Sequence, residues 1–344
     1  MSWQEYSAKN QTVADWLPWG GLTAPSVLEN KDGSFLGVIK YKPLSENTKI
    51  EIPEMQNGWA FWFEEQYLKT YADSFFVVCW NPIIRKNGII NALNGKTFSR
   101  NKARRIFKDA LSDFTAKLSS ITDCELLEYQ ELIDFLTFSL SMGESYVEMP
   151  DIPLYLDALL SNDIPWSIDD KNDIGIGDKW FVAVSVPASI QDEELDFIIS
   201  EFKEYPIRHV RRLLLFDKES AKDMMEAYTT AWCKGRKSIK NLMLNDIITD
   251  LSGYYTDTLI LLADKKEREL VEKNLSDLLS DLELSFRIEE YNRKDVWWGT
   301  LPGVFRANVM PPITGFSGLY DLLSHKSVKK IVIGDDNYVS LESV

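Results

Sequence analysis

The sequence predicts an α+β fold made of two consecutive antiparallel-sheet-plus-helix units, 1–150 and 151–344. Three observations carry this. Short runs rich in Phe, Trp and Val, bounded by Gly, Pro and Asn, recur in both halves and read as strands. Residues 100–120 place apolar side chains at three- and four-residue steps, the signature of an amphipathic helix. In the second half, strand and helix patterns alternate along the chain.

In order, Trp16 to Ala24 is an apolar entry segment, and a hairpin follows over 24–42 with its turn at Asp32-Gly33. An Asp-Gly pair suits the positive φ angles of a tight turn. Gly58 to Glu65 and Ser74 to Trp80 are the next strands, and Asn81-Pro82 ends the second. Asn87-Gly88 and Asn94-Gly95 make residues 83–97 a loop or a small hairpin excursion. The 100–120 helix buries Ala103, Ile106, Phe107, Ala110, Leu111, Phe114 and Leu118, and a strand over 124–128 and a helix over 131–142 follow. Pro150, Pro153, Pro165 and the acidic run Asp169 to Asp178 mark a looser middle, where the unit boundary falls. Beyond it come strands at 180–186, 207–216, 256–262 and 283–291, with helices at 192–202, 219–250 and 265–280. That alternation suggests a ferredoxin-like layer for the second unit. No repeat is visible residue by residue, although both halves read as variations on one α+β unit.

The net charge of −15 argues against wholesale binding of nucleic acid, since like charge repels phosphates over roughly 8–10 Å at physiological salt. Apolar runs such as Phe75 to Trp80 fall far short of the roughly 20 residues that span a bilayer, and no leader pattern opens the chain. A cytoplasmic protein is expected. Cys79, Cys124 and Cys233 are too far apart for a disulfide framework or a zinc pair, and read as buried reduced thiols. His209 and His325 offer little to catalysis or metal binding.

Catalytic motifs fail on spacing. Gly95-Lys96-Thr97 has the ending of a phosphate-binding loop, but position 90, where its first glycine belongs, is Ile90. Gly175-Ile-Gly177 has Trp180 where a dinucleotide fingerprint needs glycine, and reads as a flexible connection. The acidic run fails as a calcium loop, with Ile174 and Phe181 at ligand positions, and reads as solvated. Glu64-Glu65 are neighbours whose side chains point apart. No catalytic residue, metal or cofactor is assigned. Basic residues cluster at Arg100, Lys102, Arg104, Arg105 and Lys108, at Lys234, Arg236, Lys237 and Lys240 beside Trp232, and at Arg208, Arg211 and Arg212. They read as solvated faces paired with acids, or as docking faces for a partner subunit, acidic lipid or DNA. Most of the tryptophans read as core or inter-domain packing, but tryptophan also favours interface centres, which adds Trp16, Trp19, Trp297 and Trp298 to Arg104, Arg105, Trp232, Lys234, Arg236 and Lys237 as interaction candidates.

Five segments carry a family resemblance: Trp16 to Phe35 (WLPWGGLTAPSVLENKDGSF), Gly58 to Glu64 (GWAFWFE), Met149 to Leu160 (MPDIPLYLDALL), Ala231 to Lys237 (AWCKGRK) and Trp297 to Arg306 (WWGTLPGVFR). Together, from about residue 12 to about 325, they resemble the amino-terminal, non-motor region of TrbE/VirB-type conjugal transfer ATPases of type IV secretion systems. Val304 stands where that family's LPGN element has Asn. The resemblance implies a RecA-like ATPase domain after this region, and no such domain is read in these 344 residues. It further implies a docking unit peripheral to the inner membrane, without its own ATP hydrolysis. The implied partners are other secretion subunits, the motor domain or chain, and further copies of itself. Two alternatives remain: a degenerate or split nucleotide site at Lys96 and Thr97, and a DNA- or acidic-lipid-binding module on the Arg100–Lys108 and Lys234–Lys240 faces.

Overall fold

The computed structural model describes residues 13–42, 50–52, 60–68, 71–81, 84–86, 89–92, 96–97, 100–120, 122–149, 155–162, 164–168, 173–186, 190, 192–216, 252–284, 286–304, 313–315, 330–333 and 339–342. The chain is mixed helix and antiparallel sheet, an α+β protein. Its first half holds α1 (Val13–Trp16), β1 (Trp19–Ala24), β2 (Val27–Asn30), β3 (Phe35–Tyr41), β4 (Ile50–Ile52), β5 (Ala60–Leu68) and β6 (Tyr71–Asn81). It continues through β7 (Ile84–Lys86), β8 (Ile89–Ala92), β9 (Lys96–Thr97), α2 (Arg100–Ser119), β10 (Cys124–Leu126) and α3 (Tyr129–Ser141). The second half holds α4 (Leu156–Asn162), β11 (Trp166–Ile168), β12 (Ile174–Ile176), β13 (Lys179–Val186), α5 (Asp192–Glu201) and β14 (Ile207–Phe216). After it come β15 (Ser252–Asp264), α6 (Arg268–Asp281), β16 (Arg287–Ile288), α7 (Arg293–Gly299), β17 (Ile313–Gly315), β18 (Lys330–Ile333) and β19 (Val339–Glu342).

One sheet runs through both halves in the order β1-β2-β3-β6-β5-β14-β15-β13-β12-β11, with β10, β16 and β17 added beside β3, β13 and β15. The junction is the antiparallel ladder between β5 and β14, from Ile207 opposite Tyr67 to Leu214 opposite Ala60. On either side of it the same order appears. In β3-β5-β6-α2-β10 the strands lie β10-β3-β6-β5, and in β13-α5-β14-β15-α6-β16 they lie β16-β13-β15-β14. Each unit thus presents its second strand to the other.

Alternation along the strands supplies two apolar faces. Leu36, Val38, Trp62, Val78, Phe181, Ala183, Val210 and Ile260 form one core with Leu132, Leu136 and Leu140 of α3, Leu160 of α4 and Trp297 of α7. Opposite, Val182, Val184, Leu259 and Leu261 pack under α5 and α6 through Leu195, Ile198, Leu275 and Leu279. On the first unit α2 covers that face, with Phe107 stacked on Phe35 and Phe114 tilted against Phe61. Gly37 leaves the space there that the Leu111 side chain fills.

Several expectations change. The entry segment contains a strand of its own, β1, so the hairpin becomes a three-stranded meander. Its Asp32-Gly33 turn is present, Gly33 having φ 85°. The predicted strand at 283–291 shrinks to Arg287–Ile288, because β12 already occupies the same edge of β13 at Lys179 and Trp180. Helix α7 then follows, over residues to which the sequence assigns no element. Gly175 lies in buried strand β12 instead of a flexible connection, and a Cβ there would collide with the Lys179 carbonyl of the neighbouring strand. The expected solvated acidic loop is partly internal: Asp173 is buried and accepts hydrogen bonds from Arg268 and Arg293. Cys79 is buried but Cys124 only partly so, and Cys233 lies outside the described residues, as does the helix expected at 219–250.

Candidate functional site

At the centre of the sheet the structure reverses the surface placement expected for the β14 cations. Arg208, Arg211 and Arg212 are fully buried inside β14, and Glu64 and Glu65 are buried inside β5. Because successive side chains alternate, the adjacent acids serve opposite faces. On one face Glu64 accepts from Arg208 Nε at 2.9 Å and Nη2 at 2.8 Å, from Ser139 Oγ and from Gln66 Nε2. Arg208 Nη1 also donates to the Ser139 carbonyl and to Thr300 Oγ1, while Arg212 Nη1 donates to the Gly299 and Val304 carbonyls, 2.8 Å each.

On the other face His209 lies between two carboxylates, Nε2 2.6 Å from Asp257 Oδ1 and Nδ1 3.1 Å from Glu65 Oε1. Glu65 also accepts from Arg211 and Tyr67, and Asp257 from the Ile190 amide. Burial works to lower the His209 pKa, but Asp257 and Glu65 together outweigh it and push it up to about 9. Glu65, His209 and Asp257 thus link β5, β14 and β15 through buried charged groups, which makes this a structural network across the sheet. The pH consequence has a definite sign. A folded pKa raised above the unfolded 6.5 gives stability fully present below about pH 6.5 and lost as pH rises through about 9. Unfolding free energies from urea titrations should therefore fall between pH 7 and 9.5, by on the order of 3 kcal/mol at most. A His209→Gln variant should lose most of that slope; an identical slope in the variant would remove His209 as its source.

The C-terminal end of the described core is tied to the first strand. Trp19 Nε1 donates to the Pro302 carbonyl at 2.8 Å, and Gly303, at φ 83°, packs against Asn30. Trp19 and Trp297 are therefore not available as contact residues: both indoles are fully buried within the chain, because they fill the core under β1 and α7. Trp298 is half-buried against the same core. Trp16 lies in α1, its side chain not among those described, and Trp232, Lys234, Arg236 and Lys237 lie outside the described residues. Lys96 and Thr97 form β9, laddered to Ala92 and Asn91, so their backbone serves a small sheet.

Arg104 and Arg105 are the expected interaction residues that reach a surface concavity. An open groove of about 550 Å³ lies between the end of β1 and the start of α2, lined by Thr23, Ala24, Asn101, Lys102, Arg104, Arg105 and Lys108. Arg104 Nη1 donates to the Thr23 carbonyl at 3.2 Å. Just outside, Arg100 is paired to Glu29 at 2.7 Å. The basic run was legible in the sequence; Thr23 and Ala24 join it only because β1 ends beside the helix. Among the described residues no cluster of His, Cys, Asp and Glu is arranged to hold a metal, and no helix is long and apolar enough to cross a membrane.

The structure thus defines an α+β protein with a buried ionic seam and a basic groove. Comparison with known proteins adds a relation. The chain is 23% identical over 300 residues to the conjugal transfer protein TrbE of Rhizobium radiobacter, covering 73% of this chain and 36% of that protein. It is also 23% identical over 227 residues to the second portion of a probable conjugal transfer protein TrbE of Sinorhizobium fredii, covering 58% of this chain and 34% of that one. The chain spans about a third of the length of these relatives. No protein-family model matches it. These similarities support a TrbE-type relation.

Proposed function

We propose that this chain is a docking and assembly unit of a conjugal transfer, type IV secretion machine, bound at the cytoplasmic side of the inner membrane. It contacts other secretion subunits and further copies of itself, and leaves ATP hydrolysis to a motor domain or a separate motor chain. The similarity to TrbE over 300 residues carries this reading. The repeated strand order supports reading the second unit, and by its likeness the first, as ferredoxin-like. The division at about residue 150 is then a division into two such units sharing a sheet.

A tagged chain, produced in cells carrying the transfer apparatus and recovered at low salt, should bring down inner-membrane transfer subunits. Its phosphate release from ATP should equal that of Lys96→Ala. Recovery of no transfer component would end the docking proposal, and hydrolysis lost in Lys96→Ala would restore the nucleotide-site alternative.

A further inference from the structure

We propose that the groove between β1 and α2 is a binding site for phosphate carried by a small multivalent anion or an anionic lipid headgroup. Charge favours such a ligand. In a chain of net charge −15, Lys102, Arg104, Arg105 and Lys108 line a single concavity. Arg104 donates to neutral groups, the Thr23 carbonyl and Asn101 Oδ1, and no described acid pairs with Arg105 or Lys108. Arg100 shows the contrast: Glu29 neutralises it.

Position in the helix favours it too. These residues occupy the first turns of a 20-residue helix whose first turn contains no acid. The amino end of a helix carries about half a positive charge, felt within its first turn, where a cation such as Lys102 is unfavourable. The helix end therefore does not explain Lys102, and Arg105 and Lys108 beyond it pair with no described acid, so the cluster points to a site. A phosphate group seated there would be favoured both by the cations and by the helix end.

Shape narrows the ligand. The Arg104 guanidinium is held by the end of β1, and its planar fork suits two oxygens of one phosphate. Single-stranded nucleic acid fits less well. It binds on aromatic stacking platforms, and the groove lining contains none. A polyanion would also continue beyond the groove over an acidic protein.

The test compares the wild-type chain with Arg105→Glu/Lys108→Glu, and with the milder Arg105→Gln/Lys108→Gln should the first misfold. Both positions are exposed. Binding of inorganic tripolyphosphate is measured by calorimetry. Co-sedimentation with phosphatidylglycerol-containing vesicles is measured against pure phosphatidylcholine. The wild type should bind at least one probe, more weakly as salt rises, and the double variant should lose at least about tenfold in affinity. Vesicle capture alone assigns a headgroup, and tripolyphosphate binding alone assigns a soluble ligand. Absence of both, or equal binding by the variants, overturns the proposal. An oligothymidylate that binds this groove more tightly than either probe overturns it in favour of nucleic acid.

Discussion

Arg208→Met should destabilise the chain by about 3–5 kcal/mol, because it leaves the Glu64 carboxylate buried without its cation. Both side chains are fully buried, 0% exposed, and joined by two hydrogen bonds of 2.8 and 2.9 Å. Ser139 and Gln66 still donate to Glu64 in the variant, but neither neutralises its charge. Pairing the change with Glu64→Leu should recover much of the loss, since removing both charges abolishes the desolvation penalty that the single variant incurs. Urea unfolding followed by far-ultraviolet circular dichroism measures all three chains. A single variant within about 1 kcal/mol of wild type would show that the seam contributes little to cohesion. Since the pair joins β5 to β14, loss of cooperativity in the single variant would also show that the units can separate.

Trp297→Ala should have a comparable effect, about 3–5 kcal/mol, through a cavity rather than a charge. The indole is fully buried, stacked on Phe181 with centroids 5.3 Å apart and meeting Trp166 edge-on at 5.6 Å. Its carbonyl accepts from Thr300 Oγ1 at 2.6 Å, and that hydroxyl in turn accepts from Arg208. A collapse of α7 around the void would therefore disturb the Arg208 environment, and the two substitutions should be non-additive. Trp297→Phe, which refills part of the volume, should lie between wild type and alanine. Strict additivity of Trp297→Ala with Arg208→Met would show that α7 and the ionic seam are independent.

Much of the local structure was legible. The three- and four-residue spacing in α2 identified the side chains it buries, including Phe107, Leu111 and Phe114, because helical geometry alone aligns them. Alternation likewise showed that Glu64 and Glu65 face apart. What they face was not legible, since their partners are 144 residues away for Glu64–Arg208 and Glu65–His209 and 146 for Glu65–Arg211. A signal was available: Ile207 to Phe216 carries cations on both faces of one strand, opposite in sign to the acids of β5. A strand covered on both sides can hold such charges only by pairing them with acids, as at Arg208, or capping them with carbonyls, as at Arg212. Trp19 and Trp297 misled for a related reason, since a large indole serves an interface and a core equally well and only burial separates the two.

The sequence by itself determined the α+β class, the positions of most strands and helices, the basic run on α2 and the likeness to TrbE-type transfer proteins. All of these depend on near-neighbour spacing or on the order of motifs. Tertiary structure decided that β5 and β14 weld both halves into one sheet, that Arg208, Arg211 and Arg212 are internal, and that Arg104 and Arg105 line a groove with the end of β1. Strand partnership and burial are set by contacts between residues far apart in the chain, and no local pattern encodes which distant strand will complete the pair.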